Sequence, residues 1–310
     1  MRPFRFALKT AGAANASDWR QLVDKVEGLG YSTLTVADHL DDQWGPLVSL
    51  TSALERTNHL RVGALVFAND FRHPALLAKE LATLDLLGEG RVEVGLGAGW
   101  RHADYTSTGI PFASAPARID RLAEAVEVLR ALWGTEGPVT WNGRYYEVDS
   151  LVGMPRPHTA GGPPLVIGGG GRRVLSLAAV QADIVGFNTS LHEGSIGVGA
   201  AQSAVADRFD ERVGWVKEAA GERFGELELQ LNTFTVQVLD DPEPLFEALA
   251  PGFGLTVDQA RDIPMVLAGS VTAICEQLLE RRERYGFSYI VVHEAELDSF
   301  APVVERLAGT

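Results

Sequence analysis

Short apolar, β-branched segments alternate with amphipathic segments along nearly the whole chain, and this alternation restricts the possible folds more than any other feature. "FRFALK" (4–9) reads as a strand and residues 17–29 as a helix with Leu22, Val23, Val26 and Leu29 on one face. Asp18 with Gln21 can cap its start, and Gly30 closes it. "YSTLTVADH" is a second strand ending at Asp38 and His39, followed by a short helix from Pro46 to Arg56. The unit repeats in "LRVGALVFAN" with "HPALLAKELATLDLLG", where Pro74 suits a first helical turn and Gly88 the exit. "RVEVGLG" is a fourth strand, and Ile119, Leu122, Val126, Leu129 and Trp133 mark a long helix that stops at Gly134. "PVTWNGRYYEV" interrupts the rhythm with a hairpin around Asn142-Gly143. "PPLVIGG", "RRVLSLAAVQ" and "DIVGFN" then give strand, helix, strand. "LELQLNTFTVQVL" is the seventh strand, "VTAICEQLLERRERYG" a late helix and "FSYIVVH" the eighth strand. About eight such units in 310 residues predict an α/β protein, a (β/α)8 TIM barrel with insertions, as one domain over 1–310. A doubly wound open sheet shares the alternation but uses fewer strands. In a barrel, chemistry belongs at the carboxyl ends of the strands.

Charge narrows the partners. With 41 acidic against 27 basic side chains, the net charge of −14 repels polyphosphate backbones and anionic lipid surfaces, so neither nucleic acid nor membrane is expected as a partner. No stretch approaches the roughly 18 apolar residues of a membrane span, and the amino-terminal apolar run is too short for a secretory segment. The one cysteine, Cys275, rules out an intramolecular disulfide and reads as a small buried hydrophobe. The chain is therefore expected to be soluble and cytoplasmic.

Three stretches could carry chemistry. Asp38-His39 ends the second strand, where a histidine can pass or accept a proton near neutral pH or be satisfied by a neighbouring loop. Trp44, five residues on, can wall a ring or simply pack. "VEVGLGAGWRHADY" sets Gly95, Gly97 and Gly99 behind a strand with G-x-G-x-G spacing, unlike the G-x-G-x-x-G of a dinucleotide loop. The "WRHADYTSTGIPF" that follows reaches Pro111 too soon for a good helix and reads as a loop over the barrel mouth. Its glycines serve either a flat ring close to the backbone or a tight turn alone. "VIGGGGRRVLSL" places Gly168 to Gly171 before a helix start with Arg172 and Arg173 adjacent. Free N–H groups, the positive helix end and guanidinium groups suit a phosphate, against the alternative of a flexible surface turn.

The remaining candidates carry less. His73, His102, His158, His192 and His293 lack metal-ligand spacing, no G-x-S-x-G elbow occurs, and the acidic "DRLAEAVEVLR" reads as a solvated face. Residues 189–201, rich in Gly and Ser, read as a mobile excursion.

Taken together and in order, "TVADH", "VGLGAGW", the 116–134 helix with its hairpin and "PPLVIGGGGRRVLSLAAVQADIVGFN" resemble the bacterial luciferase-like superfamily. The "GAGW" and "GGGG" motifs, continuing into "GIPF" and "RALW", resemble its deazaflavin branch, the coenzyme F420-dependent oxidoreductases of actinobacterial type. That resemblance implies a commonly dimeric barrel that moves a hydride between coenzyme F420 and a small organic substrate. It implies His39 as the active-site histidine, with Asp38 tuning or orienting it, and Trp44 beside the ring. Leu65 and Val66 fall where such enzymes hold a non-prolyl cis peptide against the ring, while Gly97, Gly99 and Trp100 border the ring end. Gly169, Gly170, Gly171 and Arg172 match the segment around the cofactor phosphate, and Arg101, His102 and Tyr105 are placed on the substrate side. The chain departs from the sugar-phosphate dehydrogenase branch at Trp100, where those enzymes carry a proton-donating glutamate, and shows no lysines in 183–201 for a substrate phosphate. An FMN-dependent luciferase-like monooxygenase and a non-catalytic flavin-binding barrel are the alternatives.

Overall fold

The structure, a computed structural model, describes residues 1–190 and 198–310. Eight parallel strands form the barrel: β1 (Arg5–Thr10), β2 (Thr33–Val36), β3 (Arg61–Ala64), β4 (Val92–Gly97), β5 (Leu165–Gly169), β6 (Ile184–Phe187), β7 (Glu228–Asn232) and β8 (Phe287–His293). β1 pairs with both β2 and β8, the order runs on through β7, β6 and β5 to β4, and β3 pairs with β4 to close the ring. A two-residue strand, Phe67–Ala68, extends β3 beside Leu96 and Gly97. The expected (β/α)8 architecture is present.

Period-two alternation sorts the barrel interior into layers. At the bottom, the Arg5 guanidinium binds both oxygens of Glu228, at 2.7 and 2.6 Å, and lies 3.5 Å over the Tyr289 ring. Arg61 and the Tyr289 hydroxyl bind Glu93 at 2.8 and 2.9 Å, so the buried charges of this layer are paired. Above it, Ala7, Val166, Ile184, Tyr289 and Val291 pack as an apolar plug with Leu65 against them. The next inward residues up, Lys9, Gly168, Gly186, Gln230, Asn232 and His293, face an open cavity.

Around the barrel run α1 (Ala16–Gly28), α2 (Pro46–Arg56), α3 (Pro74–Leu87), α4 (His102–Thr108), α5 (Ala115–Gly134), α6 (Arg172–Gln181), α7 (Ala206–Ala220), α8 (Val271–Tyr285) and α9 (Leu297–Leu307). Local chemistry explains their ends. Pro74 opens α3 and Gly88 caps it, as the sequence predicts. The α1 cap is Asn15, whose side chain accepts from the Ser17 and Asp18 N–H groups, rather than the expected Asp18 with Gln21. The acidic face of α5 is also more than solvated. Glu124 accepts from the backbone N–H groups of Arg144, Tyr145 and Tyr146, so it pins the hairpin Pro138–Asn142/Glu147–Val152 to the helix.

Three further expectations are corrected. The 101–113 stretch is not a plain loop: it forms α4, seven residues long, because Gly109 at φ 74° ends it with a left-handed cap. The long seventh strand is broken after Asn232, and Thr235–Val238 pairs instead with a strand absent from the sequence reading, Val266–Gly269. Two helices between them, Glu243–Phe253 and Val257–Arg261, and the terminal α9 are not foreseen by the sequence pattern either. Most of the 189–201 excursion, including His192, lies outside the described residues. No helix among the described residues is long and apolar enough to cross a membrane.

Candidate active site

The carboxyl ends of the strands surround a cavity of about 470 Å³. His39, Leu65, Val66, Gly97, Gly99, Trp100, Arg101, Tyr105 and Gly168 to Gly171 all line it, so residues far apart in sequence meet at one mouth. Asp38 lines it as well, in a different role from the one expected.

His39 is held from across the mouth. Its Nδ1 lies 2.8 Å from the Asp104 carboxylate, which also accepts from the Leu40 N–H at 3.3 Å. A carboxylate only accepts, so Nδ1 carries the proton, and in the neutral ring Nε2 is the atom free to take another. Trp100 sets its ring perpendicular to the imidazole at 5.6 Å, fixing the remaining degree of freedom. Asp104 is buried on the first turn of α4, and Arg101 reaches it at 3.8 Å while also pairing with Asp41. The carboxylate orienting His39 is thus Asp104, not Asp38.

Asp38 is already committed. Arg72 grips it with two N–H groups, and the Ala68 N–H donates to it at 3.0 Å. This ties the end of β2 to the chain just after β3 and shapes one wall of the cavity. Leu65–Val66 is a cis peptide bond at that wall, as the resemblance implies.

The glycines of "VGLGAGW" make room chiefly for the protein itself. A Cβ on Gly95 would fall 2.0 Å from the Ala64 carbonyl oxygen, and one on Gly97 2.5 Å from Val66 Cγ2. Gly99 has φ 76°, and a Cβ there would meet the Tyr105 hydroxyl at 1.8 Å. Tyr105 is buried and donates to Asp70 at 3.1 Å; burial and that carboxylate push its phenol well above the ordinary range. Arg118 closes the loop by donating to the carbonyls of Gly99 and Ala113 with its guanidinium 4.0 Å over Phe112.

The 168–171 segment runs from β5 into α6 with Gly171 as the cap. Leu175 N–H closes the first helical bond onto Gly171, so the N–H groups of residues 172–174 have no intrahelical acceptors. A Cβ on Gly170 would strike the Thr189 carbonyl oxygen at 2.2 Å, so only glycine fits between the two loops. The arginines take no part in this cradle. Arg172 pairs with Glu218 at 2.8 Å and Arg173 with Asp120, both on exposed helix faces. The cation beneath the loop is Arg212 of α7, 3% exposed, which donates Nε to the Gly170 carbonyl at 3.0 Å and leaves Nη1 without a partner. Burial pushes its guanidinium down to about 10.

Two other expected residues lie elsewhere. Trp44 is packed against Trp19 with ring centroids 5.3 Å apart and lines a separate recess beside α2; Gly12 permits this, since a Cβ there would meet Trp44 Cγ at 2.5 Å. His102 sits on the exposed face of α4 against Phe112 and does not line the mouth cavity. Asp104, Arg72, Arg118 and Lys9 belong to the site without standing out in the sequence. Period-two counting along β1, Arg5 to Ala7 to Lys9, is the signal that finds the last.

Residues 2–243 match the family model of the luciferase-like monooxygenases. The chain belongs to this family. Among its relatives, the F420-dependent glucose-6-phosphate dehydrogenase of Intrasporangium calvum is 33% identical over 187 residues, 53% of this chain and 55% of that protein. The FMNH2-dependent dimethylsulfone monooxygenase of Pseudomonas fluorescens is 31% identical over 141 residues, 46% of this chain and 38% of its own length. The chain thus spans about half the length of the curated relatives it matches. A solved F420-dependent secondary alcohol dehydrogenase, in complex with an F420–acetone adduct, superposes with a TM-score of 0.79 at 19% identity over 99% of both chains, so this luciferase-like protein shares its fold along the whole length.

Proposed function

We propose that this luciferase-like protein is a coenzyme F420-dependent oxidoreductase acting on a small organic substrate. The observation that carries the reading is the shared cavity joining the Gly168–Gly171 helix start to a histidine held by Asp104, with the Leu65–Val66 wall between them. The cradle fits a phosphate-bearing, flat-ringed cofactor: a glycine at 170 that no side chain can replace, first-turn N–H groups without intrahelical acceptors and an incompletely partnered arginine, Arg212, bonded to Gly170. Bound there, the deazaflavin supplies a hydride carrier that reacts poorly with oxygen. The chain's own work is orientation and proton management. Gly169 to Gly171 would hold the phosphate, Leu65 and Val66 the ring, and His39 Nε2 exchanges the substrate proton while Asp104 keeps Nδ1 protonated. Trp100 packs on His39, and the family resemblance puts it where the sugar-phosphate dehydrogenases carry a glutamate, which favours a substrate other than a sugar phosphate.

The family also holds FMN enzymes, so cofactor choice is the deciding test. Micromolar binding of coenzyme F420 with no FMN binding is expected in parallel fluorescence titrations, and the reverse result overturns the reading. Catalysis itself is tested by His39→Ala, which should abolish turnover while F420 binding persists. Val48, Leu76, Leu86 and Leu87 expose apolar surface on α2 and α3, supporting a homodimer, to be checked by light scattering. The one cysteine, buried and free, supports a cytoplasmic location.

A further inference from the structure

Among the described residues, the charged side chains of the mouth cavity have partners with one exception. Asp38 is paired with Arg72, Asp104 with His39 and Arg101 with Asp41, while Arg118 donates to two carbonyls. His293 uses both ring nitrogens, one accepting from the Glu296 N–H and the other donating to the Thr233 carbonyl at 3.0 Å. Lys9 has none. It is the third inward residue of β1, after Arg5 in its paired cluster and Ala7 in the apolar plug, and stands in register with His293. Burial pushes its ammonium below the ordinary lysine range. Lining the same cavity, Gln230 is 2% exposed with its side-chain oxygen buried and unbonded, and Asn232 likewise leaves its side-chain oxygen without a donor. An amide presents N–H₂ or oxygen by a half-turn, so both can answer a polar ligand.

An unpaired, half-buried cation and two amide oxygens without donors each cost stability. Below Lys9 on its own strand stands Ala7 of the apolar plug, between it and the paired charges around Arg5 at the bottom of the barrel. We propose that Lys9, with the amides of Gln230 and Asn232, forms an oxyanion subsite on the cavity floor that recognises a substrate bearing a carboxylate or phosphate group. This rests on the cavity being the small-molecule site proposed above. A chain of net charge −14 repels anions at long range, so an anionic substrate needs such a local cation to enter.

The test is calorimetric titration of the full-length protein with benzoate and, separately, inorganic phosphate, for wild type, Lys9→Met and Lys9→Arg. Saturable binding by wild type, weakened tenfold or more in Lys9→Met and kept within about threefold in Lys9→Arg, supports the subsite, and the probe affected identifies carboxylate or phosphate as its group. Equal binding of both probes by wild type and Lys9→Met, or none by wild type, overturns it. Coenzyme F420 titration separates this from the cofactor reading: unchanged affinity in Lys9→Met is expected, and a parallel loss would assign Lys9 to the cofactor and refute the proposal. Lys9→Met should melt no lower than wild type, since it removes an unpaired, half-buried charge; a lower Tm would mean a structural lysine and would also refute it.

Discussion

Replacing Asp104 with alanine removes the carboxylate that holds His39 Nδ1. The bond is 2.8 Å long, the Asp104 side chain is 6% exposed and that of His39 19%. Hydrogen bonds to charged groups contribute about 1.5–3 kcal/mol, and the partly solvated histidine places this one near the lower end, ~1.5–2 kcal/mol. At 1.36 kcal/mol per factor of ten, that biases the neutral ring about 10- to 30-fold toward the Nδ1–H tautomer. In the variant the bias disappears and the ring returns to the preference for Nε2–H that imidazoles show in water. Long-range proton–nitrogen correlation spectra on ¹⁵N-histidine protein at about pH 8, above the ordinary histidine range, read the tautomer directly. A His39→Gln variant assigns its signals among the seven histidines. Asp38→Asn should leave the pattern unchanged, because Asp38 serves Arg72 and Ala68. If wild-type His39 is already Nε2–H, or keeps Nδ1–H in Asp104→Ala, the proposed relay is refuted.

Other perturbations test the frame around that pair. Gly99→Ala combines a left-handed backbone, worth about 1–2 kcal/mol, with displacement of buried Tyr105, so a loss of ~2–4 kcal/mol should lower Tm by about 3–6 °C in calorimetry; an unchanged Tm would contradict the 1.8 Å approach. Arg72→Met leaves the buried Asp38 carboxylate unpaired and should cost about 3–5 kcal/mol, a fall of roughly 5–8 °C in the same measurement. Glu124 is held below the ordinary glutamate range: burial opposes this, but the N–H groups of Tyr146 and Tyr145, the Trp141 indole and the Arg144 N–H outweigh it. A depressed folded value means stability present above the unfolded pKa, about 4.3, and lost as pH falls through the folded one. The Tm gap between wild type and Glu124→Gln should therefore be full above about pH 5 and shrink toward pH 3; a gap independent of pH would rule out this role.

Part of the site is legible in the sequence because strand ends announce themselves. "TVADH" stops at a polar pair and "VIGGGGRR" ends in four glycines, so His39 and Gly169 to Gly171 follow from where β2 and β5 have to finish. Direction and partner are what the sequence misleads about. Arg172 stands beside the glycines in sequence, yet at the first turn of α6 its side chain pairs outward with Glu218. Trp44 lies close to His39 along the chain, yet the missing side chain of Gly12 makes room for its ring against Trp19. Asp104 is visible in "WRHADY" but has no role until α4 turns its carboxylate toward β2.

The sequence by itself determined the barrel, the place of its strands apart from the over-long seventh, and the glycines, because hydrophobic period and backbone freedom are local properties written in neighbouring residues. Only the tertiary structure decided which carboxylate serves His39, which arginine underlies the Gly168–Gly171 loop and which lysine remains unpaired in the cavity. Those outcomes depend on side chains separated by 65, 42 and more positions meeting where strands close into a ring, and no local pattern encodes which way each one turns.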